Sequence, residues 1–344
     1  MIKSSKETER KNEVKDMKIV AGSNDVKNET EQSIRPGNFS EIIGRKKEKK
    51  TIKMMISSAQ KRGEVVDHIL FYGPPGLGKT TFAVAIANEI GSSIRITSGP
   101  AIERQGDLAA ILTNLNANDV LFIDEIHRLS RVVEEILYPA MEDRALDIVM
   151  GKGPSAKTVR LSLEPFTLIG ATTQIGKISP PMRDRFGLIQ RLDFFGTEDL
   201  VNILNRASGL WNINIENEAL MELSKCSRGT ARIGLRLLRR VRDYAETRGM
   251  KFVDKNVVKE TMKLLGIDKH GLEDIDREIL RVVHEDFDNG PVGISTLAAS
   301  VSEDISTIMD VYEPFLMKKG FLKRTSRGRV LTEKGIRYIN GEDE

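Results

Sequence analysis

The stretch from Phe71 to Thr81, FYGPPGLGKTT, constrains this chain more than any other. An apolar run, His68 to Tyr72, feeds a glycine-proline loop, which hands over to an apolar-periodic segment from Thr81 to Ile90. Gly73, four residues, and then Gly78-Lys79-Thr80 satisfy the G-x-x-x-x-G-K-[ST] spacing of a P-loop. Glycines at 73, 76 and 78 let successive N–H groups point into one concavity that holds phosphate oxygens. The helix that follows aims its unpaired N–H groups at the same anion. Lys79 supplies a mobile charge for the terminal phosphates, and the Thr80 hydroxyl can hold Mg²⁺. With a strand before, a helix after and every fixed position filled, a chance glycine turn is disfavoured.

The region around this loop alternates strands and helices. Residues 93–97 read as a strand, and 107–115 as a helix with apolar positions 108, 111, 112 and 115 on one face. Val120-Leu121-Phe122-Ile123 is a continuous apolar run, as suits the centre of a parallel sheet covered on both sides. It ends in Asp124-Glu125, where open α/β sheets place their ligands. Asp124 would hold Mg²⁺, and Glu125 would orient and polarise an attacking water; a strand-end salt bridge is the plain alternative. A third strand, 166–171, leads to Thr172-Thr173-Gln174, whose hydroxyls could sense a γ-phosphate. Between them, 148–163 reads as a projecting hairpin, either a partner surface or simply structural. Arg183 and Arg185 flank Asp184 after a proline break; they suit an arginine finger or, on charge alone more readily, a surface salt-bridge cluster.

From Thr197 the pattern changes to successive amphipathic helices. Arg228-Gly229-Thr230-Ala231-Arg232 opens a basic one, and Arg232 at its start is the candidate to fold back onto nucleotide. From residue 269 the order is three helices and a two-strand element turning at Ser326-Arg327-Gly328, a winged-helix pattern. Acidic residues outnumber basic ones over 269–344, yet Lys318, Lys319, Lys323, Arg324, Arg327 and Arg329 lie in an acid-free run. A positive hairpin at the edge of an acidic domain suits phosphate contact, although such modules also dock proteins.

A length of 344 residues suits two or three domains, and a net charge of +3 leaves any nucleic-acid surface to a local patch. One cysteine, Cys226, excludes an intrachain disulfide and suits a reducing cytosol. No apolar run approaches the ~20 residues that span a bilayer. Residues 1–33 are polar and aperiodic, as expected of a disordered tail. The four histidines are scattered without ligand spacing, and no N-K-x-D guanine signature is present.

The blocks DHILFYGPPGLGKTT, TSGPAIERQGDLAAILTNL, DVLFIDEIHRLS, EEILYPAMED, FTLIGATT, RDRFG, RGTARI, LLRRVRDYAE, GPVG and RTSRGR together resemble the RuvB family of AAA+ branch-migration motors. The resemblance runs from about Ile34 to Asn340. It implies an α/β AAA+ P-loop core with a parallel sheet (34–196), an all-α lid (197–268) and a C-terminal winged helix (269–344). It further implies ATP and Mg²⁺ as cofactors and four-way-junction DNA as the polymer acted on. A homo-oligomeric ring, a hexamer, a cytoplasmic location and a RuvA-like partner docked on the 148–163 hairpin also follow. Position by position, Gly76, Lys79, Thr80 and Thr81 match phosphate and Mg²⁺ contacts, and Ile34 and Arg35 match a nucleotide-contacting segment. Asp124 and Glu125 match Walker B, Thr173 sensor 1, Arg185 the trans-acting finger, and Arg232 sensor 2. Glu142, Asp143 and Arg144 match a stretch beside the nucleotide, and Phe195 a position whose ring packs on adenine. Arg324 and Arg329, with Arg327 between them, match the DNA-contacting wing. Gln174, Ala231, Phe195 and Ser326 stand where the family usually has Arg, Pro, Tyr and Pro.

Two other classes compete with a DNA translocase. A small-molecule P-loop kinase would leave the arginine pair and the basic hairpin without a purpose. A nucleotide-switched loader would hydrolyse slowly and exchange no strands.

Overall fold

The apolar runs read from the sequence become the inner strands of one parallel sheet. The computed structural model describes residues 34–150 and 157–342; the expected tail over 1–33 and the tip of the 148–163 hairpin lie outside the described residues. The chain divides into two units at Asp193–Phe194. In order, the first unit holds α1 (Lys46–Arg62), β1 (Ile69–Tyr72), α2 (Lys79–Ile90), β2 (Ile94–Ser98), α3 (Gln105–Thr113) and β3 (Val120–Asp124). It continues through α4 (Arg131–Glu142), β4 (Ala145–Met150), β5 (Lys157–Ser162), β6 (Thr167–Thr172), α5 (Pro180–Asp184) and β7 (Leu188–Arg191).

The sheet order is β2-β3-β6-β1-β7, and every pairing is parallel. The three inner strands, β3, β6 and β1, are buried almost throughout. Leu70, Leu121, Ile123 and Leu168 pack with Leu108 and Leu112 of α3 and Val133 and Leu137 of α4. Each such side chain contributes about 1.5–3 kcal/mol on leaving water. One consequence places the site: β6 lies between β1 and β3, so the segments leaving these three strands emerge side by side. The hairpin β4–β5 pairs outside this sheet, antiparallel from Ala145↔Ser162 to Met150↔Lys157.

The second unit opens with four helices, α6 (Thr197–Leu210), α7 (Asn217–Cys226), α8 (Ala231–Thr247) and α9 (Lys255–Leu264). A winged helix follows: α10 (Asp274–Glu285), α11 (Ile294–Ser300), α12 (Ile305–Thr307), α13 (Glu313–Lys319), β8 (Leu322–Thr325), β9 (Gly328–Leu331) and α14 (Glu333–Ile339). The helix expected over 306–318 is present as one helical run, α12 to α13, widened to a π-type turn at Ile308–Tyr312. Pro314 accounts for the widening: it has no N–H for the carbonyl one turn back, and its ring crowds that carbonyl.

Lid and winged helix share this unit. Arg228, buried and packed on the Phe315 ring at 4.6 Å, pairs with fully buried Asp276. Tyr338 donates to Asp268 (2.5 Å) and Arg236 to Glu273 (3.1 Å).

Candidate nucleotide site

Gly73, Gly76 and Gly78 all carry positive φ, +141°, +78° and +92°, so the loop after β1 curls as its spacing requires. Gly73 has a second constraint. A Cβ there would land on the Leu192 carbonyl oxygen, because Leu192 closes against β1 with its N–H donated to the Tyr72 carbonyl (2.8 Å). Lys79 is 7% exposed, with its ammonium across the loop, donating to the carbonyls of Gly73 (2.9 Å) and Pro74 (3.0 Å). Thr80 and Thr81 follow in the first turn of α2, beside N–H groups that a helix start leaves for an anion.

The segment carrying Ile34 and Arg35 is tied to α2. Asn88 donates to the Gly37 carbonyl (2.5 Å), the Phe39 N–H donates to Glu89 (3.2 Å), and the Phe39 and Phe82 rings lie 6.2 Å apart. Ile34 is buried, and Arg35 is exposed.

At the end of β3, Asp124 accepts the N–H of Glu125 (2.9 Å) through one carboxylate oxygen. Glu125 itself sits in the left-handed region (φ 48°, ψ 45°), a conformation costing a non-glycine residue about 1–2 kcal/mol. The surroundings impose it: the Glu125 carbonyl accepts from the Arg128 N–H (2.8 Å) and lies so close to Gly99 that a Cβ there would overlap it. The tight turn that follows, Ile126–Arg128, folds His127 back. Thr173, just beyond β6, donates its hydroxyl to Glu125 Oε2 (3.2 Å). Thus the acidic pair and the third-strand hydroxyl, far apart in sequence, meet at adjacent strand ends.

His127 was not a site residue by sequence, yet its Nδ1 lies 3.2 Å from Glu125 Oε2 and 2.8 Å from Thr172 Oγ1. Its offset of two from Glu125 has meaning only once the tight turn exists. Gln174 donates its backbone N–H to Thr172 Oγ1 (2.9 Å).

Arg185 is held by a different set. It donates to the Pro181 carbonyl (2.7 Å) and to Glu142 (3.0 Å), with its guanidinium 4.5 Å over the Tyr138 ring. Phe186, the next residue, is buried in the sheet-side core and anchors this loop. Glu142, Asp143 and Arg144 are exposed at the end of α4, with Asp143 paired to Arg160 (2.7 Å).

In the second unit, Arg232 is exposed in the first turn of α8, whose N-terminus Thr230 caps by accepting the Ile233 N–H (3.4 Å). Phe195 donates its N–H to the Gly229 carbonyl (2.9 Å). On the wing, Arg327 is exposed at the turn, whereas Arg329 is buried. Arg324 and Arg329 both grip Glu313, each through two hydrogen bonds of 2.6–3.1 Å. Burial pushes the Glu313 carboxyl up, but these hydrogen bonds outweigh it and hold the group below its ordinary value. Glu313 carries no sequence signal, because its partners come from the hairpin, Arg324 and Arg329.

Among the described residues no group of three or more His, Cys, Asp or Glu is placed to hold a metal alone, and no helix is long and apolar enough to cross a membrane. The hydroxyl of Thr80 and the carboxylate of Asp124 are hard oxygen donors, the kind that share Mg²⁺ with phosphates and water.

Comparisons with known proteins agree with this arrangement. The family model described as the Holliday junction DNA helicase RuvB P-loop domain matches residues 34–192, the RuvB AAA lid domain 195–268 and the RuvB C-terminal winged helix domain 269–340. The Holliday junction branch migration complex subunit RuvB of Clostridium kluyveri is 55% identical over 312 residues, 91% of this chain and 89% of the relative. Its counterpart from Fusobacterium nucleatum is 53% identical over 311 residues, 90% and 94%. A solved structure of the Thermotoga maritima RuvB Holliday junction branch migration motor matches with a TM-score of 0.81 at 45% identity, covering 89% of this chain and 98% of that one. The chain therefore belongs to the RuvB family of P-loop ATPases.

Proposed function

We propose that this protein is an ATP-driven DNA motor that moves four-way junctions by branch migration in recombination and repair, together with a RuvA-like junction-binding partner. The observation that carries the reading is the convergence of three strand ends: P-loop, Asp124-Glu125, and Thr173 bonded to Glu125. The loop amides, with Gly76, Thr81 and Lys79, would seat the triphosphate. Thr80 and Asp124 would hold Mg²⁺, which would supply charge neutralisation to the phosphates. Glu125 takes a proton from water as the water oxygen attacks the γ-phosphorus and the bond to the bridging oxygen breaks, leaving ADP and phosphate. Ile34 and Arg35, tied to α2, would contact the base side of the nucleotide. The sensing role of Arg232 and the adenine contact of Phe195 rest on their motifs alone.

Arg185, with Glu142, Asp143 and Arg144 nearby, is assigned to the nucleotide of a neighbouring subunit, which makes a ring, a hexamer, part of the mechanism. The β4–β5 hairpin is the proposed docking site for the RuvA-like partner. Arg327 and Arg324 would touch DNA phosphates, with Arg329 behind them fixing the wing through Glu313. A cytoplasmic location fits this chemistry. The test is phosphate release from ATP, with and without duplex and four-way-junction DNA and the RuvA-like protein. Stimulation by DNA with no small-molecule acceptor is expected; transfer to an acceptor, or indifference to DNA, would overturn the proposal.

A further inference from the structure

Two side chains approach the same oxygen of Glu125. Thr173 donates its hydroxyl to Oε2 (3.2 Å), and His127 Nδ1 lies at the same distance from that atom. The imidazole is built into the wall, 6% exposed, whereas the Glu125 side chain is 32% exposed. The ring has an anchor of its own: Thr172 Oγ1, 2.8 Å from Nδ1, belongs to the last, fully buried residue of β6 and accepts the Gln174 N–H. The left-handed backbone at Glu125 and the tight turn after it bring the ring back over the carboxylate.

We propose that His127 is a positioning residue for Glu125 in ATP hydrolysis. Its Nδ1–H, shared between the nearer Thr172 Oγ1 and Oε2 and acting with the Thr173 hydroxyl, holds Oε2 and leaves Oε1 as the oxygen that receives the proton of the attacking water. The hold needs the proton on Nδ1. With the proton on Nε2 instead, the Thr172 hydroxyl would donate to Nδ1 and the ring would turn a lone pair toward Oε2, releasing the carboxylate. A fixed base is worth more than a mobile one because its orientation is set before the transition state is reached.

The inference rests on the hydrolysis reading, and the test separates the two. Hydrolysis rates and affinity for a fluorescent ADP analogue are measured for the full chain, for Glu125→Gln, His127→Leu and His127→Asn, and for the double variant Glu125→Gln/His127→Leu. His127→Leu is expected to lower kcat about 10- to 100-fold, the worth of one hydrogen bond to a charged group, with KM and ADP affinity unchanged. His127→Asn, whose amide N–H can donate, is expected to recover most of that loss. In the Glu125→Gln background, His127→Leu is expected to cause no further fall. Should the leucine variant fail to fold, His127→Phe, which keeps a ring and removes Nδ1, carries the same comparison. A wild-type kcat in His127→Leu, or an equal fall in both backgrounds, overturns the proposal. A wild-type rate in Glu125→Gln would instead sink the assignment of Glu125 as the base.

Discussion

Glu125 combines an uncommon backbone conformation with the chemistry assigned to it. Its left-handed φ is held by the Arg128 N–H and by the close approach of Gly99, so the turn is a fixed feature of the strand end. Replacing the carboxylate by an amide keeps the shape and removes the proposed base. Glu125→Gln is expected to lower kcat about 10²- to 10⁴-fold while nucleotide affinity holds, measured by steady-state hydrolysis and by equilibrium binding. Lys79 and Asp124 were legible in the sequence because their spacing from glycines and apolar runs is itself the signal. The partners of Glu125 were only half legible. Thr173 followed from its place after an apolar strand, but His127 and Gly99 act through a turn that no periodicity announces.

At the scale of elements, the inner strands could be read because residues buried on both faces leave a continuous apolar run. The edge strand β7 and helix α4 left weaker traces; β7 is four residues long with alternate ones exposed. His68, just before β1, shows how such elements are joined. Its Nδ1 accepts the Leu168 N–H (2.9 Å), so Nε2 carries the proton toward the Met141 carbonyl (3.2 Å). Burial pushes its pKa below the ordinary 6.5. A lowered value means that the unfolded chain takes up the proton first. The stabilisation is therefore complete above the unfolded value and lost as pH falls through the folded one. Melting of the wild type is expected to decline below about pH 6.5, and His68→Gln is expected to flatten that part of the profile.

The wing titrates in another window. Glu313 is held below its usual 4.5, so its stabilisation is complete above that value, is lost progressively as pH falls below it, and is gone once pH has fallen through the lower folded pKa. Glu313→Gln is expected to cost about 3 kcal/mol in urea unfolding, because Arg329 is then left charged and buried; Arg324, half in water, adds little.

At the scale of the whole molecule, the lid helices and the winged helix belong to one unit, joined at the buried Arg228–Asp276 pair. The sequence separated them by motif, since a pairing across 48 residues leaves no local pattern. Within that unit the loop bearing Arg228 leads directly into α8 and Arg232, which ties the α8 start to the winged helix through Asp276. Motion of the lid in response to nucleotide is therefore expected to move the β8–β9 hairpin with it. If Arg185 completes the site of a neighbouring subunit as proposed, Arg185→Ala mixed with Lys79→Ala should regain part of the hydrolysis that each lacks alone, measured across mixing ratios. No recovery at any ratio would count against an arginine acting in trans.

On the proposed function, phosphate chemistry at the end of this sheet drives motion of DNA. The direct measurement is strand exchange on a synthetic four-way junction with Mg²⁺, ATP and a RuvA-like protein, comparing the wild type with Lys79→Ala. Exchange by the wild type that stops with the alanine variant or without ATP is the predicted result. Exchange that continues unchanged in Lys79→Ala, or ATP consumption by the wild type with no exchange, would contradict it.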